Sequence, residues 1–250
     1  MTERRFGNKE MKRAGCSFVT VLVTVLVLQG QGFAKSALVA NLEAGKKQVV
    51  VAYGTSLTAN GAWVSQLDAA LAAQWPGQAT VINSGGSGQW SQWGVENLER
   101  LVLQKRPDAV FIEFGINDSV ARFKGSVAIA RRNLEAMIDR ILRQCPHGEI
   151  ILMTMTPGDR YPPGHFSHRL DVATYYAMYR DVAKARGCLL VDLYPVWLEL
   201  AQGDKAKYLA YVPDTVHPTA EGCERIVTPA VLDVLGMPSR KKEPRGDHAP

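Results

Sequence analysis

The sequence has little cysteine and none of the short motifs that mark the commonest metal and nucleotide sites. Among its 250 residues are four cysteines, and no two of them have the C-x-x-C spacing typical of zinc ligands. It has neither the G-x-G-x-x-G pattern of dinucleotide-binding folds nor a Walker phosphate-binding pattern. It also lacks the G-x-S-x-G elbow that carries the nucleophile of α/β-hydrolases. We therefore expect no metal and no organic cofactor.

The main body of the chain lacks a charge bias. The net charge of +5 arises at the two ends, where residues 1–34 carry five basic side chains against two acidic ones and residues 239–250 carry four against two. Residues 35–238 are neutral overall. A basic face for nucleic acid is not indicated, so we expect no nucleic-acid partner.

The sequence has one long apolar run, and it lies near the N-terminus. Cys16–Leu28 follows a basic segment and is too short to span a bilayer comfortably, which is typical of a secretory signal. Small residues, Gly32 and Ala34, suit the positions just before a cleavage site. We predict a signal peptide over residues 1–34, cleaved after Ala34, and a periplasmic or secreted protein with no membrane span after cleavage. An uncleaved membrane anchor is the alternative.

Three cysteines remain once that segment is removed: Cys145, Cys188 and Cys223. Cys145 and Cys188 each precede a predicted strand, and these strands would be neighbours. A disulfide between these two residues and buried free thiols are both compatible with the pattern.

Five apolar, β-rich runs alternate with helical patterns in the rest of the chain. The runs are Val49–Tyr53, Thr80–Asn83, Ala109–Phe114, Ile150–Met155 and Leu189–Leu193. This alternation predicts a parallel sheet covered by helices on both faces, an α/β fold arranged as a three-layer αβα sandwich. We assign this domain to residues 48–238, a linker to residues 35–47 and a disordered polar tail to residues 239–250.

Apolar stripes at helical spacing predict the helices between the strands. The predicted helix before the fifth strand has Leu170 among its apolar positions, and Ser167 is its predicted N-terminal cap. The last helix begins at Thr219, and Pro229 is expected to kink it.

Polar, glycine-containing stretches follow the first three strands, and a fourth polar stretch lies in the last long loop. They are Gly54–Ser56, Asn83–Gly88, Gly115–Asp118 and Asp214–Pro218. Because the carboxyl ends of parallel strands open at one edge of the sheet, we expect the first three to converge there.

The last stretch suits the activation of a serine. The hydroxyl of Ser56 is a poor nucleophile until a base removes its proton, and a histidine has the right basicity to do so. His217 lies three residues after Asp214, and the ends of a four-residue turn lie within about 7 Å. The carboxylate of Asp214 can therefore orient the ring of His217.

The same edge offers donors for a negatively charged oxygen. Gly88 can bring its backbone N–H close because it has no Cβ, and Asn117 carries a side-chain NH₂. The N–H of Ser56 is a third donor. Such groups stabilise the oxyanion that forms when a carbonyl is attacked.

Taken together, the four stretches resemble the blocks of the SGNH (GDSL-type) hydrolase superfamily, which carry Ser, Gly, Asn and His in this order. The resemblance covers about residues 48–236 and implies a flavodoxin-like SGNH fold. It implies that Ser56 is the nucleophile, that Ser56, Gly88 and Asn117 form an oxyanion hole, and that Asp214 and His217 complete a catalytic triad. Thr55 stands where the family name leads one to expect aspartate, which we expect to change the hydrogen bonding of the turn.

The resemblance implies hydrolysis of esters through an acyl-serine intermediate. Side chains in the flanking loops are candidates for substrate binding: Trp90, Arg160, Tyr161 and Tyr211. Predicted export, a neutral body and polar-aromatic loops favour an acetyl group on a small or polymeric carbohydrate.

Two alternatives stay open. One is a lysophospholipase, thioesterase or arylesterase that acts on longer acyl chains. The other, of a different class, is a non-catalytic carbohydrate-binding module on the same fold.

Overall fold

The computed structural model describes residues 1–2, 36–159 and 161–237 of the chain. All but the first two residues of the predicted signal peptide, its cleavage position after Ala34 and the predicted tail 239–250 lie outside the described residues. Arg160 lies outside them as well.

One parallel sheet of five strands forms the centre of the fold. Its strands are β1 (Gln48–Gly54), β2 (Ala79–Asn83), β3 (Ala109–Glu113), β4 (Glu149–Thr154) and β5 (Leu189–Asp192). Their order is β2-β1-β3-β4-β5, with every neighbouring pair parallel. The five predicted strands are confirmed, each end within one residue of its predicted position. β1 lies between two strands and under helices on both faces, which is why its sequence is a nearly continuous apolar run.

Helices follow or precede each strand. They are α1 (Ala37–Glu43), α2 (Ser56–Ala59), α3 (Ala62–Gln74), α4 (Ser91–Leu101), α5 (Gly115–Asp118), α6 (Val127–Gln144), α7 (Val172–Arg186), α8 (Tyr194–Gly203), α9 (Lys205–Tyr211), α10 (Ala220–Gly222) and α11 (Thr228–Val234). Short 3₁₀ turns occupy Leu103–Lys105 and Ala121–Phe123, and a π turn occupies Cys223–Val227.

The helices form two layers with a hydrophobic core on each face of the sheet. Helices α1, α3, α8 and α11 pack on one face, where Trp63 meets Phe111 edge-on with 5.5 Å between ring centroids. Helices α4, α6 and α7 cover the other face, where Ile138 and Tyr179 pack in the same core as Ile112. The predicted three-layer αβα sandwich is therefore confirmed.

The segment predicted as a linker, residues 35–47, contains helix α1. Leu38, Val39 and Leu42 are buried in the first core, and the hydroxyl of Ser36 accepts a hydrogen bond from Val39 N as the helix cap. The N–H groups of Ala37 and Leu38 donate to the carboxylate of Glu149, at 2.8 and 3.2 Å. The linker prediction is wrong here because a seven-residue helix shows only two turns of periodicity in the sequence.

Helix α7 begins later than predicted. Asp171, and not Ser167, is its cap, and Asp171 Oδ1 accepts a hydrogen bond from Thr174 N. The preceding backbone is engaged elsewhere, since Ala121 N donates to His168 O and Leu170 N donates to Ser119 O. These bonds join the loop before α7 to the loop after β3 and prevent an earlier helical start.

The predicted kink at Pro229 takes the form of a π turn. Pro229 lies in the first turn of α11 and has no N–H to donate backwards. The wider π geometry of Cys223–Val227 lies directly before it, so the irregularity precedes the proline.

The three cysteines of the described residues are free thiols: Cys145, Cys188 and Cys223. The sequence left open a disulfide between Cys145 and Cys188 or free thiols, and the structure shows free thiols. Burial raises the pKa of each of these thiols.

No helix within residues 36–159 and 161–237 is both long enough and apolar enough to cross a bilayer.

Candidate active site

The carboxyl ends of β1 and β3 bring the first three polar stretches together. The two strands pair with Gly54 opposite Glu113, so the turns that follow them lie side by side. Thr55 N donates to Glu113 O at 3.0 Å, and Gly86 N donates to Gly54 O at 2.8 Å. The predicted convergence of these loops is what the structure shows.

Ser56, His217 and Asp214 form a continuous hydrogen-bonded chain. Ser56 Oγ lies 2.8 Å from His217 Nε2, and His217 Nδ1 lies 2.7 Å from Asp214 Oδ2. A carboxylate only accepts hydrogen bonds, so Nδ1 carries a proton, and in the neutral ring the lone pair of Nε2 then faces the serine. An imidazole in this state can remove the proton of the serine hydroxyl.

The carboxylate of Asp214 is held in its ionised form. Burial acts against ionisation, but hydrogen bonds from the backbone and ring of His217 and from Val216 N outweigh it, so that the pKa of Asp214 lies below its ordinary value. Asp214 Oδ1 accepts both backbone bonds, at 2.7 Å from His217 N and 3.0 Å from Val216 N. The side chain is therefore charged and fixed opposite the imidazole.

The loop that carries His217 is fastened by neighbouring elements. Thr215 has a φ of +62°, unusual for a residue with a side chain. Its carbonyl accepts from Gly158 N at 3.1 Å and from the hydroxyl of Tyr208 at 3.1 Å. The hydroxyl of Thr156 donates to Val216 O at 2.7 Å. These bonds hold the turn that points the imidazole at Ser56.

Gly88 lines one cleft together with Ser56, Asp214 and His217. The N–H groups of Gly85 and Gly86 already donate to Asn83 Oδ1 and Gly54 O. Gly88 N and Ser56 N donate to no acceptor within the described part of the chain. Gly88 has a φ of +72°, a left-handed conformation that glycine adopts without strain. The geometry therefore favours Gly88 over the other two glycines as the donor of this loop.

Asn117 is buried at the start of the loop after β3. Its Nδ2 donates to Gln89 O at 2.8 Å, which uses one of its two N–H bonds. The neighbouring carboxyl of Asp118 accepts from Ser91 N at 2.8 Å and ties this loop to the start of α4. Burial raises the pKa of Asp118 to about 7. Asp118 thus holds the loop in place.

Thr55 closes the turn before Ser56. Its hydroxyl donates to Glu113 Oε2 at 2.8 Å and accepts from Leu57 N at 3.2 Å. Burial raises the pKa of Glu113 to about 8, against the opposing effect of hydrogen bonds from Thr55 and Thr58. The threonine at this position therefore connects the nucleophile turn to a buried carboxyl of β3.

A cleft of about 360 Å³ surrounds these groups. Besides the residues described above, its lining includes Asn60, Ser87, Arg122, Tyr161, Ser167 and Arg169.

Of the four side chains predicted to bind substrate, the structure places one in the lining of the cleft. Tyr161 lines the cleft, and Arg160 lies outside the described residues. Trp90 is not part of the lining, because it stacks on Phe123 at 4.9 Å between ring centroids. Tyr211 lines a separate hollow between α8, α9 and the π turn. Both predictions are corrected for the same reason: sequence position placed each ring near a site loop, and packing turned it away.

Two arginines of the cleft were not predicted. Arg122 donates to Gly88 O at 3.2 Å, and Arg169 contacts Asn117 Oδ1 at 3.5 Å. Neither has a motif around it, and only the pairing of residues 119–122 with residues 166–170 brings them to the cleft.

The arrangement has the parts of an acyl-transfer site. A serine faces an imidazole that a carboxylate orients, and donors from Ser56, Gly88 and Asn117 border the same cleft. Within the described residues, no group of three or more side chains is placed to hold a metal ion.

Comparisons with known proteins bear on this site. Residues 50–225 match the model of the GDSL-like lipase/acylhydrolase family. An uncharacterized lipoprotein of Bacillus subtilis (strain 168), YqeF, is 28% identical over 216 residues, which cover 74% of this chain and 88% of that protein. An arylesterase of Vibrio mimicus is 32% identical over 147 residues, 58% of this chain and 66% of that protein.

Among solved structures, the acetylxylan esterase Axe2 from Geobacillus stearothermophilus aligns with a TM-score of 0.65 and 21% identity. The alignment covers 78% of this chain and 98% of that one. At this level of identity the likeness shows a shared fold.

Proposed function

Because the chain belongs to the GDSL-like lipase/acylhydrolase family, whose members include esterases, we propose that its cleft is an esterase site with Ser56 as nucleophile. The observation that carries the proposal is the chain from Ser56 Oγ to His217 Nε2 at 2.8 Å and from His217 Nδ1 to Asp214 Oδ2 at 2.7 Å. The donors of Gly88 and Asn117 border the same cleft.

The proposed reaction follows from these positions. His217 takes the proton of Ser56 as the hydroxyl attacks the ester carbonyl, and Asp214 stabilises the imidazolium that forms. The N–H groups of Ser56, Gly88 and Asn117 donate hydrogen bonds to the oxyanion and so stabilise it. His217 then protonates the leaving alcohol, and a water molecule repeats the sequence to release the acid and restore Ser56.

The variant Ser56→Ala tests the assignment. We expect kcat on p-nitrophenyl acetate to fall by about 10⁶-fold, the loss typical of removing a triad nucleophile. An exposed serine of α3, Ser65, serves as the matched control, and Ser65→Ala should keep the wild-type rate.

A fluorophosphonate probe provides the second arm of this test. The wild type should be labelled at Ser56 and Ser56→Ala should not. Full esterase activity in Ser56→Ala would overturn the proposal. An unlabelled, inactive wild type would instead favour the non-catalytic carbohydrate-binding module.

For the substrate, we propose a short acyl group, most simply acetate, on a carbohydrate. The cleft is small, about 360 Å³, and most of the residues that line it have polar side chains, with Val120 and Val216 as its aliphatic members. Tyr161, whose ring stacks on His165 with 4.2 Å between centroids, brings an aromatic side chain of the kind that sugars stack on to this lining. The named activity of Axe2 on acetylated xylan agrees with this proposal at the level of a shared fold.

A longer acyl chain is the rival substrate, and a second hollow supports it. This hollow of about 490 Å³ shares Tyr161 and Arg169 with the cleft and is bordered by Pro162, Val172 and Leu198. The Vibrio mimicus relative is named an arylesterase, so a bulky leaving group is also within the family's range.

A panel of p-nitrophenyl esters from two to twelve carbons separates the two substrates. We expect kcat/KM to be highest for acetate. A maximum at eight carbons or more would reject the short-chain proposal and leave the esterase assignment intact.

We also propose that the protein is exported. A basic segment followed by an apolar one within residues 1–34 supports this, as does the description of a relative as a lipoprotein. N-terminal sequencing of the protein purified from a bacterial host should begin at Lys35, and recovery of the intact N-terminus would contradict cleavage.

A further inference from the structure

We propose that Arg169 is a positioning residue of the oxyanion site, which holds the side-chain amide of Asn117 in place and ties its loop to the loop of His217. The proposal rests on the esterase function proposed above. It is carried by the contacts of one guanidinium group.

The guanidinium of Arg169 contacts both loops at once. Nε donates to Ile116 O at 3.2 Å, and Nη2 lies 3.5 Å from Asn117 Oδ1. Nη1 donates to Gly158 O at 3.2 Å, in the segment after β4. One rigid, planar group therefore bridges the loop after β3 and the loop after β4.

Gly158 continues this connection to the triad. Its N–H donates to Thr215 O, inside the turn between Asp214 and His217. A Cβ on Gly158 would lie 2.9 Å from Arg169 Cδ, so only glycine lets the guanidinium reach its carbonyl. A hydrogen-bonded path thus runs from Asn117 through Arg169 and Gly158 to the loop that carries His217.

The contact with Oδ1 decides which end of the Asn117 amide serves as donor. Arg169 approaches the oxygen, and Gln89 O accepts one hydrogen of Nδ2. With both ends engaged, the amide cannot turn over without losing two interactions. The second hydrogen of Nδ2 remains as the donor for the oxyanion.

Arg169 is partly buried between the two loops, and the acceptors of its hydrogen bonds are neutral oxygens. Burial lowers the pKa of its guanidinium, and the carboxylate of Asp214 is among the groups that act in the opposite sense. The positive charge strengthens the hydrogen bonds that Arg169 donates, and it acts on the oxyanion site through them, by holding the amide of Asn117.

The test uses Arg169→Gln and Arg169→Lys in the full-length protein with p-nitrophenyl acetate. Because losing one oxyanion donor outright costs on the order of 10²–10³ in kcat, we expect Arg169→Gln to lower kcat by roughly 10- to 100-fold with KM little changed. Arg169→Lys should recover part of the loss, since it restores the charge without the fork of donors.

The second step combines Arg169→Gln with Asn117→Ala. If Arg169 acts through Asn117, its substitution should change kcat by less than about threefold once the amide is gone, a non-additivity expected of groups that act as a unit. A merely structural arginine would lower kcat by the same factor in both backgrounds.

Arg140 is the matched control, since it likewise donates to a backbone carbonyl, Val95 O at 2.8 Å, but on α6 and away from the cleft. Arg140→Gln should keep the wild-type kcat when its rate is divided by the fraction of protein that the fluorophosphonate probe labels at Ser56. Additive effects of Arg169→Gln and Asn117→Ala, or a wild-type kcat in Arg169→Gln, would overturn this proposal. An inactive wild type would instead reject the esterase function.

Discussion

Thr55 shows how one side chain replaces the aspartate of the family name. The hydroxyl accepts a hydrogen bond from Leu57 N, as an N-terminal cap does, and donates to the buried Glu113. An aspartate here would place a second carboxyl beside Glu113. The threonine makes the same local bond with an uncharged side chain, so the turn before Ser56 stays closed.

We predict that Thr55→Val lowers the free energy of unfolding by about 1–3 kcal/mol, because Val keeps the shape but loses a buried hydrogen bond and the cap. Thr55→Ser keeps the hydroxyl and should lie within about 1 kcal/mol of the wild type. Urea denaturation measures both. Equal midpoints for the Val and Ser variants would show that the hydroxyl does not hold the turn.

At the scale of elements, α1 is the addition that sequence reasoning did not foresee. It covers the first core with Leu38, Val39 and Leu42, and Glu149 at the start of β4 accepts from its first N–H groups. The acceptor and the helix lie more than a hundred residues apart. This helix therefore belongs to the hydrolase domain.

We predict that Leu42→Ala destabilises the protein by about 2–5 kcal/mol, the cost of removing a fully buried leucine side chain. Ala40, on the exposed side of α1, is the matched control: Ala40→Lys should change stability by less than about 0.5 kcal/mol. Thermal and urea unfolding of both variants check this. A wild-type stability in Leu42→Ala would mean that α1 adds little to the core.

At the scale of the whole molecule, two buried carboxyl groups make stability depend on pH. Burial raises the pKa of Glu113 to about 8 and that of Asp118 to about 7, from ordinary values of 4.5 and 3.8. At pH values between the ordinary and the raised pKa, each of these carboxyl groups is therefore protonated in the folded protein and ionised in the unfolded chain. Stability must fall as the pH rises through that window, by about 1.4 kcal/mol per pH unit for each proton held.

We predict that the urea midpoint is higher near pH 5 than near pH 8. Above about pH 8 the midpoint should level off, because both carboxyl groups are then ionised in the folded protein as well. The low pKa of Asp214 acts in the opposite sense, but only below about pH 4, since that carboxylate loses its stabilising contacts on protonation. Glu113→Gln, which cannot ionise, should flatten the decline, whereas the exposed Glu96→Gln should not. A midpoint that is constant or rises from pH 5 to pH 8 would contradict the prediction.

Local patterns allowed much of the fold and of the triad to be predicted. The strands are continuous apolar runs because both faces of the sheet are covered, and Asp214 and His217 meet within one turn. Such features depend on neighbours in sequence. The site residues that could not be predicted, Arg122 and Arg169, reach the cleft through bonds to residues more than thirty positions away.

The sequence by itself determined the order of strands and helices and the residue types available for ester chemistry, because hydrophobic periodicity and turn residues act over a few positions. Only the tertiary structure decided that Gly88 presents its N–H while Gly85 and Gly86 use theirs, that Trp90 and Tyr211 turn away from the cleft, and that Arg169 joins two loops. The reason is that the direction of a side chain depends on what packs against it, and those partners come from distant parts of the chain.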